Sequence, residues 1–468
     1  MKKPRASSSS RATTVGAIDE AVLAFTAGND VVLDRALIEA DCIGTAAHVT
    51  MLSRMPLKPR LIQPADAKQV IRELVAIMRN ARKGSFQITL EDQDVHLAVE
   101  RALTAKLGDL GKKIHTGRSR NDQVAVDLRL FTRTQLIDTL REGADLATAL
   151  LSFAREHAAV PMVGRTHMQP GMPSSVGLWA SAYAEALLDD LSLVLSSYDL
   201  NDKSPLGSAA SYGVPLPIDR QLTSDLLGFS APCHNVLYAN NSRGKLESVV
   251  LMAMTQIMLT LSRLAQDLML FTMPEFDYFR LPREFCTGSS IMPQKQNPDV
   301  MELIRARASR VQAAMTAACD LIKGAPSGYN RDVQEAKELF MHGLETTRAC
   351  LRILTPCIER TEVNSPALLR GFTPDVFATD AALEKVAQGM PFRDAYHWVK
   401  QNLDQLASRD PHQAIAAKTH LGATAGLDFD ALQRRVDEVQ RLAESEWKDH
   451  CRAITKLLGV PYPSLAKT

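Results

Sequence analysis

The sequence has few of the features that mark sheet-rich proteins and nucleotide-binding enzymes. Aromatic residues make up only 5% of the 468 residues, and runs of alternating β-branched residues are hard to find, so strand signals are weak. The patterns GxxxxGK[ST], GxGxxG and HExxH are absent, and the nearest match to GxSxG, residues 117–121, lacks the final glycine. The sequence therefore excludes a P-loop and shows no dinucleotide motif, zinc-protease motif or nucleophile elbow.

Charge and cysteine content exclude further classes of protein. The formal net charge is +1, which gives no support to a nucleic-acid or anionic-membrane surface. The seven cysteines are dispersed, without a CxxC pair or a zinc-like spacing, as is typical of reduced thiols in a cytosolic protein. The basic, serine-rich stretch 1–18 lacks the apolar run of a secretory signal and is predicted to be a disordered tail.

The longest hydrophobic run, residues 246–272, resembles a membrane span in length. It carries Glu247, Arg263 and Asp267 together with several hydroxyl and amide residues. A span requires about 20 predominantly apolar residues. We therefore interpret this run as a helix buried at the centre of a large bundle.

Helix-forming stretches dominate the chain. Four of them exceed the usual helix length of about 8–20 residues. They cover residues 122–157, 174–200, 244–272 and 299–323. Packed together, helices of this length form an elongated rod. The last third returns to shorter amphipathic helices, one of which carries an apolar stripe at Phe429, Leu432, Val436, Val439 and Leu442.

Breaks in the helical pattern fall at residues 111–122 and 355–366. They predict three domains: an N-terminal helical domain at 1–118, a central long-helix domain at 119–368 and a small C-terminal helical domain at 369–468.

The segment GSSIMPQKQNP, residues 288–298, is the most unusual polar stretch. Its glycine frees the backbone, whereas Pro293 and Pro298 restrict it. Ser289 and Lys295 lie six residues apart across a turn, so a hydroxyl and a cation face one anionic group. The alternative is an ordinary surface loop.

Three other segments each have two interpretations. In GRTHMQPGMP, residues 164–173, His167 precedes a predicted helix and is either a structural cap or a general acid or base. HTGRSRNDQ, residues 115–123, gathers donors where a long helix begins, which suits either a carboxylate site or a capping segment. In YNRDVQEAK, residues 329–337, Gln334 and Lys337 share one helical face, which is either a binding surface or a solvated one.

Taken together, these segments resemble the argininosuccinate lyases of the fumarase/aspartase superfamily. GSSIMPQKQNP is similar to the superfamily signature GSSxMPxKxNP, and residues 91–130 resemble the segment that distinguishes argininosuccinate lyases from their relatives. PLGSAASYGVPLPIDR and GMPFRDAYHWV are further similar segments. The resemblance runs from about Phe25 to beyond Val399.

The resemblance implies an all-α fold of three domains, whose long middle helices form a twenty-helix core in a homotetramer. Each of four active sites would draw residues from three subunits. The implied reaction is the reversible β-elimination of argininosuccinate to L-arginine and fumarate through an aci-carboxylate carbanion, in cytoplasmic arginine biosynthesis. The resemblance further implies a small-molecule substrate, no metal or organic cofactor, and no nucleic-acid or membrane partner.

The family's functional residues carry over by matching positions. Ser289 and His167 match the catalytic serine and histidine, which act as base and acid in an order that the sequence leaves open. Glu302 matches the carboxylate that pairs with the histidine, while Lys295 and Asn297 match the donors to the aci-carboxylate. The implied substrate-binding residues are Ser119, Arg120, Asn121 and Thr166 at the succinyl carboxylates, Tyr329, Gln334 and Lys337 at the arginine end, and His96 near the site.

The chain departs from the family pattern at three places. Met172 stands where many members have glutamine, and NNSRGKLE, residues 240–247, replaces a Ser-Asp-Arg-Asp run, which leaves Arg243 as an open substitute. An early substrate-contacting serine has Asn29 or Asp30 as its nearest counterpart. Two alternatives stay open: an adenylosuccinate lyase-like enzyme, and an inert crystallin-like homologue, against which the retained catalytic matches argue.

Overall fold

A computed structural model describes residues 10–13 and 16–466. The N-terminal part contains six helices, α1–α6, which lead into the first long helix. Their bounds are Glu20–Ala27, Asp30–Leu33, Ile38–Arg54, Pro64–Arg82, Val95–Leu107 and Asp109–Lys113.

The central part contains helices α7–α13, of which five are long. Their bounds are α7 Arg120–Glu156, α8 Val176–Asn201, α9 Arg220–Leu226, α10 Val236–Asn241, α11 Lys245–Phe271, α12 Asp299–Lys323 and α13 Glu335–Glu359. All four long helices predicted from the sequence are confirmed within two residues at each end. The fifth, α13, was missed because its Pro356 was read as part of a break, whereas the helix continues through this proline.

The C-terminal part contains helices α14–α18. Their bounds are α14 Ser365–Arg370, α15 Ala378–Ala387, α16 Phe392–Gln401, α17 Pro411–Ala416 and α18 Phe429–Leu458. A 3₁₀ turn, Pro374–Phe377, leads directly into α15. The prediction of shorter helices here is wrong for α18, which has 30 residues and packs its apolar stripe on α7. Arg141 and Arg155 of α7 each form an ion pair with α18, at 2.9 Å to Glu444 and 2.7 Å to Asp430.

Strands are short, as the weak sequence signals predict. Ten form five two-stranded sheets among the described residues. Their bounds are β1 Ser10–Thr13, β2 Gly16–Asp19, β3 Pro161–Thr166, β4 Gln169–Ser175, β5 Lys203–Ser204, β6 Ala231–Pro232, β7 Phe279–Arg280, β8 Thr287–Gly288, β9 Gln296–Asn297 and β10 Glu362–Val363. The predicted disordered tail lies partly outside the described residues, and its described part pairs β1 with β2 instead.

The five long helices alternate in direction. The Arg129 guanidinium of α7 donates to the Asn201 carbonyl at the end of α8 and to the Ser242 hydroxyl just before α11, at 3.2 and 2.9 Å. The start of α11 also adjoins the last turn of α12, because a Cβ on Gly244 would meet Ile322. We call this end of the bundle end A and the opposite end, where Glu156 and Asp299 lie, end B.

Helix α11 is the one helix in the described chain that is long and apolar enough to cross a membrane, and 61% of its most apolar window is buried inside the protein. It packs against α8, α12 and α13, which confirms the prediction of a core helix. Met252 and Leu259 on its outer face stay 46% and 42% exposed, so one side of the bundle is apolar and uncovered in the single chain.

The predicted division into three domains stays a prediction. Helix α14 spans the boundary placed at 368/369, and α18 packs in the main core with α7. A second small core, formed by Ala381, Ala382, Ala395 and Val399, joins α15 to α16.

Candidate active site

A cavity of about 160 Å³ at end A brings together six of the predicted site residues. They come from α5, the first turn of α7, the segment before α13 and the first turn of α13. The six are His96, Arg120, Asn121, Tyr329, Gln334 and Lys337. The same cavity is lined by Asp30, Asp34, Asp94 and Arg243. Its lining thus mixes cations and carboxylates, as a site for a zwitterionic ligand requires.

Lys337 is the most deeply buried cation of this cavity. Its ammonium lies 2.5 Å from Asp34 Oδ1 and 2.9 Å from Asp30 Oδ1, with only 2% of the side chain exposed. The interpretation of residues 329–337 as a solvated face is therefore wrong for Lys337. Burial raises the pKa of Asp30, although the Lys337 charge opposes this shift. One ammonium between two carboxylates leaves the pair of acids short of positive charge.

Arg120 and Gln334 are held by other residues of the cavity. The Arg120 Nε donates to Asp94 Oδ2 at 2.8 Å, which holds this guanidinium beside the N-terminus of α7. The Gln334 amide donates to the Thr26 carbonyl at 3.1 Å and accepts from Arg331 Nε at 2.9 Å. These contacts orient side chains that would otherwise lose rotamer freedom on binding.

Arg243 enters the cavity from the segment in which the sequence departs from the family pattern. Its guanidinium lies 6.0 Å from the centre of the Tyr329 ring, within the range of a cation–π contact. Its Nε is buried and has no hydrogen-bond partner among the described residues.

His96 lies at the inner wall, between two buried carboxylates. Its Nδ1 lies 2.9 Å from Asp41 Oδ1 and 3.4 Å from Asp127 Oδ2. Burial alone would lower the pKa of His96, but the hydrogen bond to Asp41 and the charges of Asp94 and Asp127 raise it to about 9. The three side chains have metal-ligand spacing, with one ligand atom each within 4.8 Å of the others. Burial and the neighbouring Asp41 charge raise the pKa of Asp127 well above its usual value.

Ser119 does not line the cavity but caps helix α7. Its Oγ accepts from the Asn121 amide at 3.2 Å, and Asp122 Oδ1 accepts from the Ser119 amide at 2.8 Å, which is a capping box. Asp122 Oδ2 also accepts from the Gly207 and Ala209 amides at 3.0 Å. The capping interpretation is thus confirmed for Ser119, whereas Arg120 and Asn121 line the cavity and their role at a carboxylate stays a prediction.

Thr166 and His167 lie at the tip of the β3–β4 hairpin. Thr166 pairs with Gln169, so His167 and Met168 form a two-residue turn, and their φ angles are +52° and +63°. Positive φ at both positions defines a type I′ turn, which normally contains Asn and Gly. The histidine therefore sits on an exposed hairpin tip rather than at the helix start that the sequence indicated, since α8 begins nine residues later.

The GSSIMPQKQNP segment forms a second, closed hairpin. Thr287 and Gly288 pair with Asn297 and Gln296, which encloses residues 289–295. The Ser289 Oγ accepts from the Ile291 and Met292 amides at 3.3 and 3.1 Å, and the Asn297 amide lies 3.5 Å from the Gly288 carbonyl. Lys295 is exposed on this loop, and Glu302 is exposed on the first turn of α12.

Helix lengths separate these two hairpins from the cavity. Helix α7 begins at Arg120 and has 37 residues, so about 55 Å lies between the cavity and the start of the His167 hairpin. Helix α12 has 25 residues, so about 37 Å lies between the Ser289 loop and the segment that carries Tyr329. Within one chain, the cavity is at end A and both hairpins are at end B.

The sequence did not single out Asp34 or Asp94, and named Asp30 and Arg243 only as open counterparts. The sequence did contain a signal for Asp30 and Asp34. They are four residues apart and therefore share one side of a helical turn. Asp94 is the N-cap of α5, accepting from the Leu97 amide at 3.0 Å, and its second oxygen is free to hold Arg120.

Comparison with known proteins gives the same family as these segments. The family model described as "Lyase" matches residues 28–313. The argininosuccinate lyase of Sorangium cellulosum is 42% identical over 91% of this chain and 98% of its own length, and that of Phocaeicola vulgatus is 40% identical over 90% and 93%. An EDDS lyase structure in complex with formate superimposes with a TM-score of 0.79 at 21% identity, covering 93% of each chain, and shows the fold.

The six residues gathered at end A, the all-α bundle of five long helices and these likenesses agree with one another. The chain is a lyase of the fumarase/aspartase superfamily and belongs to the argininosuccinate lyase family.

Proposed function

We propose that the site residues named above cleave argininosuccinate to L-arginine and fumarate by general acid–base catalysis, as a step of arginine biosynthesis in the cytoplasm. The observation that carries this proposal is the cavity at end A. Its carboxylates Asp30 and Asp34 suit the ammonium of an amino acid, and its cations Lys337 and Arg243 suit the carboxylate of the same group.

The two halves of the substrate have separate binding groups in this proposal. Tyr329, Gln334 and Lys337 bind the arginine half. Arg120, Asn121 and Thr166 bind the succinyl carboxylates, and Ser119, predicted to join them, holds the Asn121 backbone through the cap of α7. His96 lines the same cavity from its inner wall, with its Nδ1 engaged by Asp41.

The elimination begins with removal of a proton from the succinyl carbon next to a carboxylate. The electron pair left behind spreads onto that carboxylate, which becomes a doubly charged aci-carboxylate. Lys295 and Asn297 donate to it, and removing one such donor typically costs about 10²–10³ in rate. The pair then returns to form the carbon–carbon double bond of fumarate as the carbon–nitrogen bond breaks.

Ser289 is the base in this scheme, and His167 is the acid that protonates the departing guanidino nitrogen. The reverse assignment uses the same two groups. Glu302 pairs with His167 and orients it. No step requires a metal or an organic cofactor.

A complete site requires more than one chain. The cavity of one subunit would receive the His167 hairpin of a second and the Ser289 loop of a third, in a homotetramer whose core contains five long helices from each subunit. The separation of ends A and B supports this arrangement. So do the exposed apolar side chains of the bundle, including Leu193 of α8, Met252 and Leu259 of α11 and Leu303 of α12, which are 40–50% exposed.

Two measurements test the proposal. The first is the absorbance of fumarate formed with argininosuccinate as substrate, and the second is the mass of the protein in solution by light scattering. Ser289→Ala should lower kcat by about 10²-fold or more, whereas Ser290→Ala, at the neighbouring exposed serine, should keep it within a few-fold.

The outcomes distinguish three functions. Release of fumarate from argininosuccinate with a kcat of about 1 s⁻¹ or more, as is typical of enzymes, supports the proposal. Fumarate released only from adenylosuccinate would instead indicate the purine-type lyase. A folded tetramer that releases no fumarate from either compound would indicate an inert, crystallin-like protein.

A further inference from the structure

The turn that carries His167 is held in a conformation that its own residues do not favour. His167 and Met168 both have positive φ, at +52° and +63°. Side chains with a Cβ rarely adopt this region, and neither residue is the Asn or Gly that type I′ turns select. Such a turn persists only when surrounding groups hold it.

Arg165 is the side chain that lies across this turn. Its Nη1 donates to the Met168 carbonyl at 3.4 Å, three residues further along the chain. Its Nη2 lies 3.5 Å from the Tyr278 hydroxyl, and its guanidinium carbon lies 5.1 Å from the centre of the Phe276 ring. The two hydrogen bonds are long, but the planar guanidinium makes both of them and the ring contact at once.

The Arg165 guanidinium packs on a cluster of aromatic rings, which we call the Phe276–Tyr278 base. The Phe276 and Tyr278 rings are 5.2 Å apart and edge-to-face, and both pack against Phe271 at the end of α11. Tyr278 is only 3% exposed. The contact therefore links an exposed hairpin tip to the end of a core helix.

Arg165 also lies where the hairpin ladder is irregular. The register of β3 and β4 shifts between Gly164 and Arg165, so the tip is tilted relative to the lower part of the hairpin. A clamp at this position fixes the direction in which the tip, and His167 with it, points.

We propose that Arg165 is a positioning residue for His167, acting by holding the strained His167–Met168 turn against the Phe276–Tyr278 base. The inference rests on the proposed role of His167 in acid–base catalysis. It predicts that loss of Arg165 impairs the chemical step more than substrate binding, because the arginine side chain points to the hairpin backbone and not to the cavity at end A.

The test uses the full-length protein and three variants. Arg165→Met should lower kcat about tenfold or more while KM changes less than about threefold, since small misplacements of catalytic groups reduce rates strongly. Met168→Gly removes the strain at the second turn position and should leave kcat near wild type. The double variant Arg165→Met/Met168→Gly should recover most of the lost kcat, because glycine at the second position, where type I′ turns select it, lets the turn form with less support from the clamp.

Controls separate positioning from folding. Arg452→Met, at a surface arginine that is 76% exposed, should change neither kcat nor the melting temperature. Arg165→Lys should show a partial loss, since lysine reaches the carbonyl but lacks the planar group that rests on Phe276. If Arg165→Met keeps wild-type kcat, or if its loss is not recovered by Met168→Gly, the inference is wrong.

Hydrogen exchange of the hairpin peptide, residues 161–175, gives a readout that does not depend on activity. Arg165→Met should speed exchange of these amides, and adding Met168→Gly should slow it again. Unchanged exchange in Arg165→Met overturns the inference. A wild-type protein that releases no fumarate but shows this exchange pattern would overturn the proposed function and leave the clamp supported.

Discussion

The Lys337 ammonium lies 2.5 Å from the Asp34 carboxylate, and the two side chains are 2% and 1% exposed. Asp30 completes the group at 2.9 Å. Because the buried ammonium faces two carboxylates, this group is a structural tie between the N-terminal segment and α13, and in the proposed site it also receives a cationic part of the substrate.

Replacing Lys337 should therefore cost both stability and binding. Lys337→Met leaves two buried carboxylates unpaired, and breaking a buried pair in this way typically costs about 3–5 kcal/mol. We expect a clear fall in the urea midpoint and, in the protein that remains folded, a raised KM for argininosuccinate. Equilibrium unfolding followed by circular dichroism, together with steady-state kinetics, measures both.

Lys323→Met is the matched control for Lys337→Met. Lys323 pairs with Asp320 at 2.7 Å, but the two side chains are 76% and 63% exposed. Exposed pairs of this kind contribute little to stability, because solvent screens them. Equal losses in the two variants would contradict the assigned importance of the buried group.

His96 gives the protein a defined pH dependence of stability. The folded-state pKa is raised to about 9, above the ordinary value of 6.5 in the unfolded chain. The stabilisation from this raised pKa is therefore fully present below pH 6.5 and is lost as the pH rises through 9. A difference of this size corresponds to a free energy on the order of 3 kcal/mol.

The corresponding experiment compares unfolding free energies between pH 6 and 10 for wild type and His96→Gln. Wild-type stability should fall across this window, and the advantage of wild type over the variant should shrink with it. His412→Gln, at an exposed histidine, should follow the wild-type curve. If the difference in unfolding free energy between wild type and His96→Gln stays constant across this pH range, the charge of His96 beside Asp41, Asp94 and Asp127 does not stabilise the fold.

The fold was largely predictable from the sequence because its helices are long and their apolar residues recur regularly. Helix α13 was the exception, since Pro356 resembles a terminator although the helix continues for three more residues. The hairpin that carries His167 was not predicted for the opposite reason. Its strands contain three prolines and two glycines, which are residues that strand patterns normally lack, and its turn lacks the Asn-Gly signal.

The site was predictable only through resemblance to a family. Local patterns indicated donors at 115–123 and 329–337 but could not indicate that Lys337 is buried, because its partners Asp30 and Asp34 lie about 300 residues earlier in the chain. Nor could they indicate the distance between the cavity and the two hairpins, which depends on the length and direction of α7 and α12.

Close packing where α7 meets α8 predicts a strict requirement for Gly177. A Cβ at this position would lie 2.6 Å from Ala158 Cα and 2.8 Å from the Ala154 carbonyl, both backbone atoms. Gly177→Ala must therefore displace one chain segment, at a cost of about 1–3 kcal/mol. Thermal melting should show the loss, and the His167 hairpin, which connects these helices, should become more open to proteolysis.

Gly324→Ala provides the comparison for Gly177→Ala. A Cβ at Gly324 meets nothing within 4 Å, and its φ of −106° suits any residue. This substitution should be neutral or slightly stabilising, because alanine reduces the entropy of the unfolded chain. A similar loss in both variants would mean that the contact with Ala158 is not the cause.

Sharing of sites between chains predicts that two inactive variants restore each other. His167→Asn and Ser289→Ala should each be nearly inactive as pure proteins. Mixed by co-denaturation and refolding in equal amounts, they should regain activity, because some sites receive an intact His167 hairpin from one variant and an intact Ser289 loop from the other. Random assembly gives about a quarter of the sites both groups, so about a quarter of wild-type activity is expected.

Comparing two mixtures of variants decides whether the His167 hairpin and the Ser289 loop of one site come from two chains or from one. Ser289→Ala mixed with Lys295→Met should regain no activity, because both substitutions lie on the same loop and every copy of that loop is then defective. If the His167→Asn and Ser289→Ala mixture also stays inactive while an affinity-tagged copy of one variant co-purifies the untagged copy of the other, the hairpin and the loop must come from one chain. The long helices place both groups roughly 37–55 Å from the cavity of their own chain, so in that case one chain would supply the hairpin and the loop and a second chain the cavity.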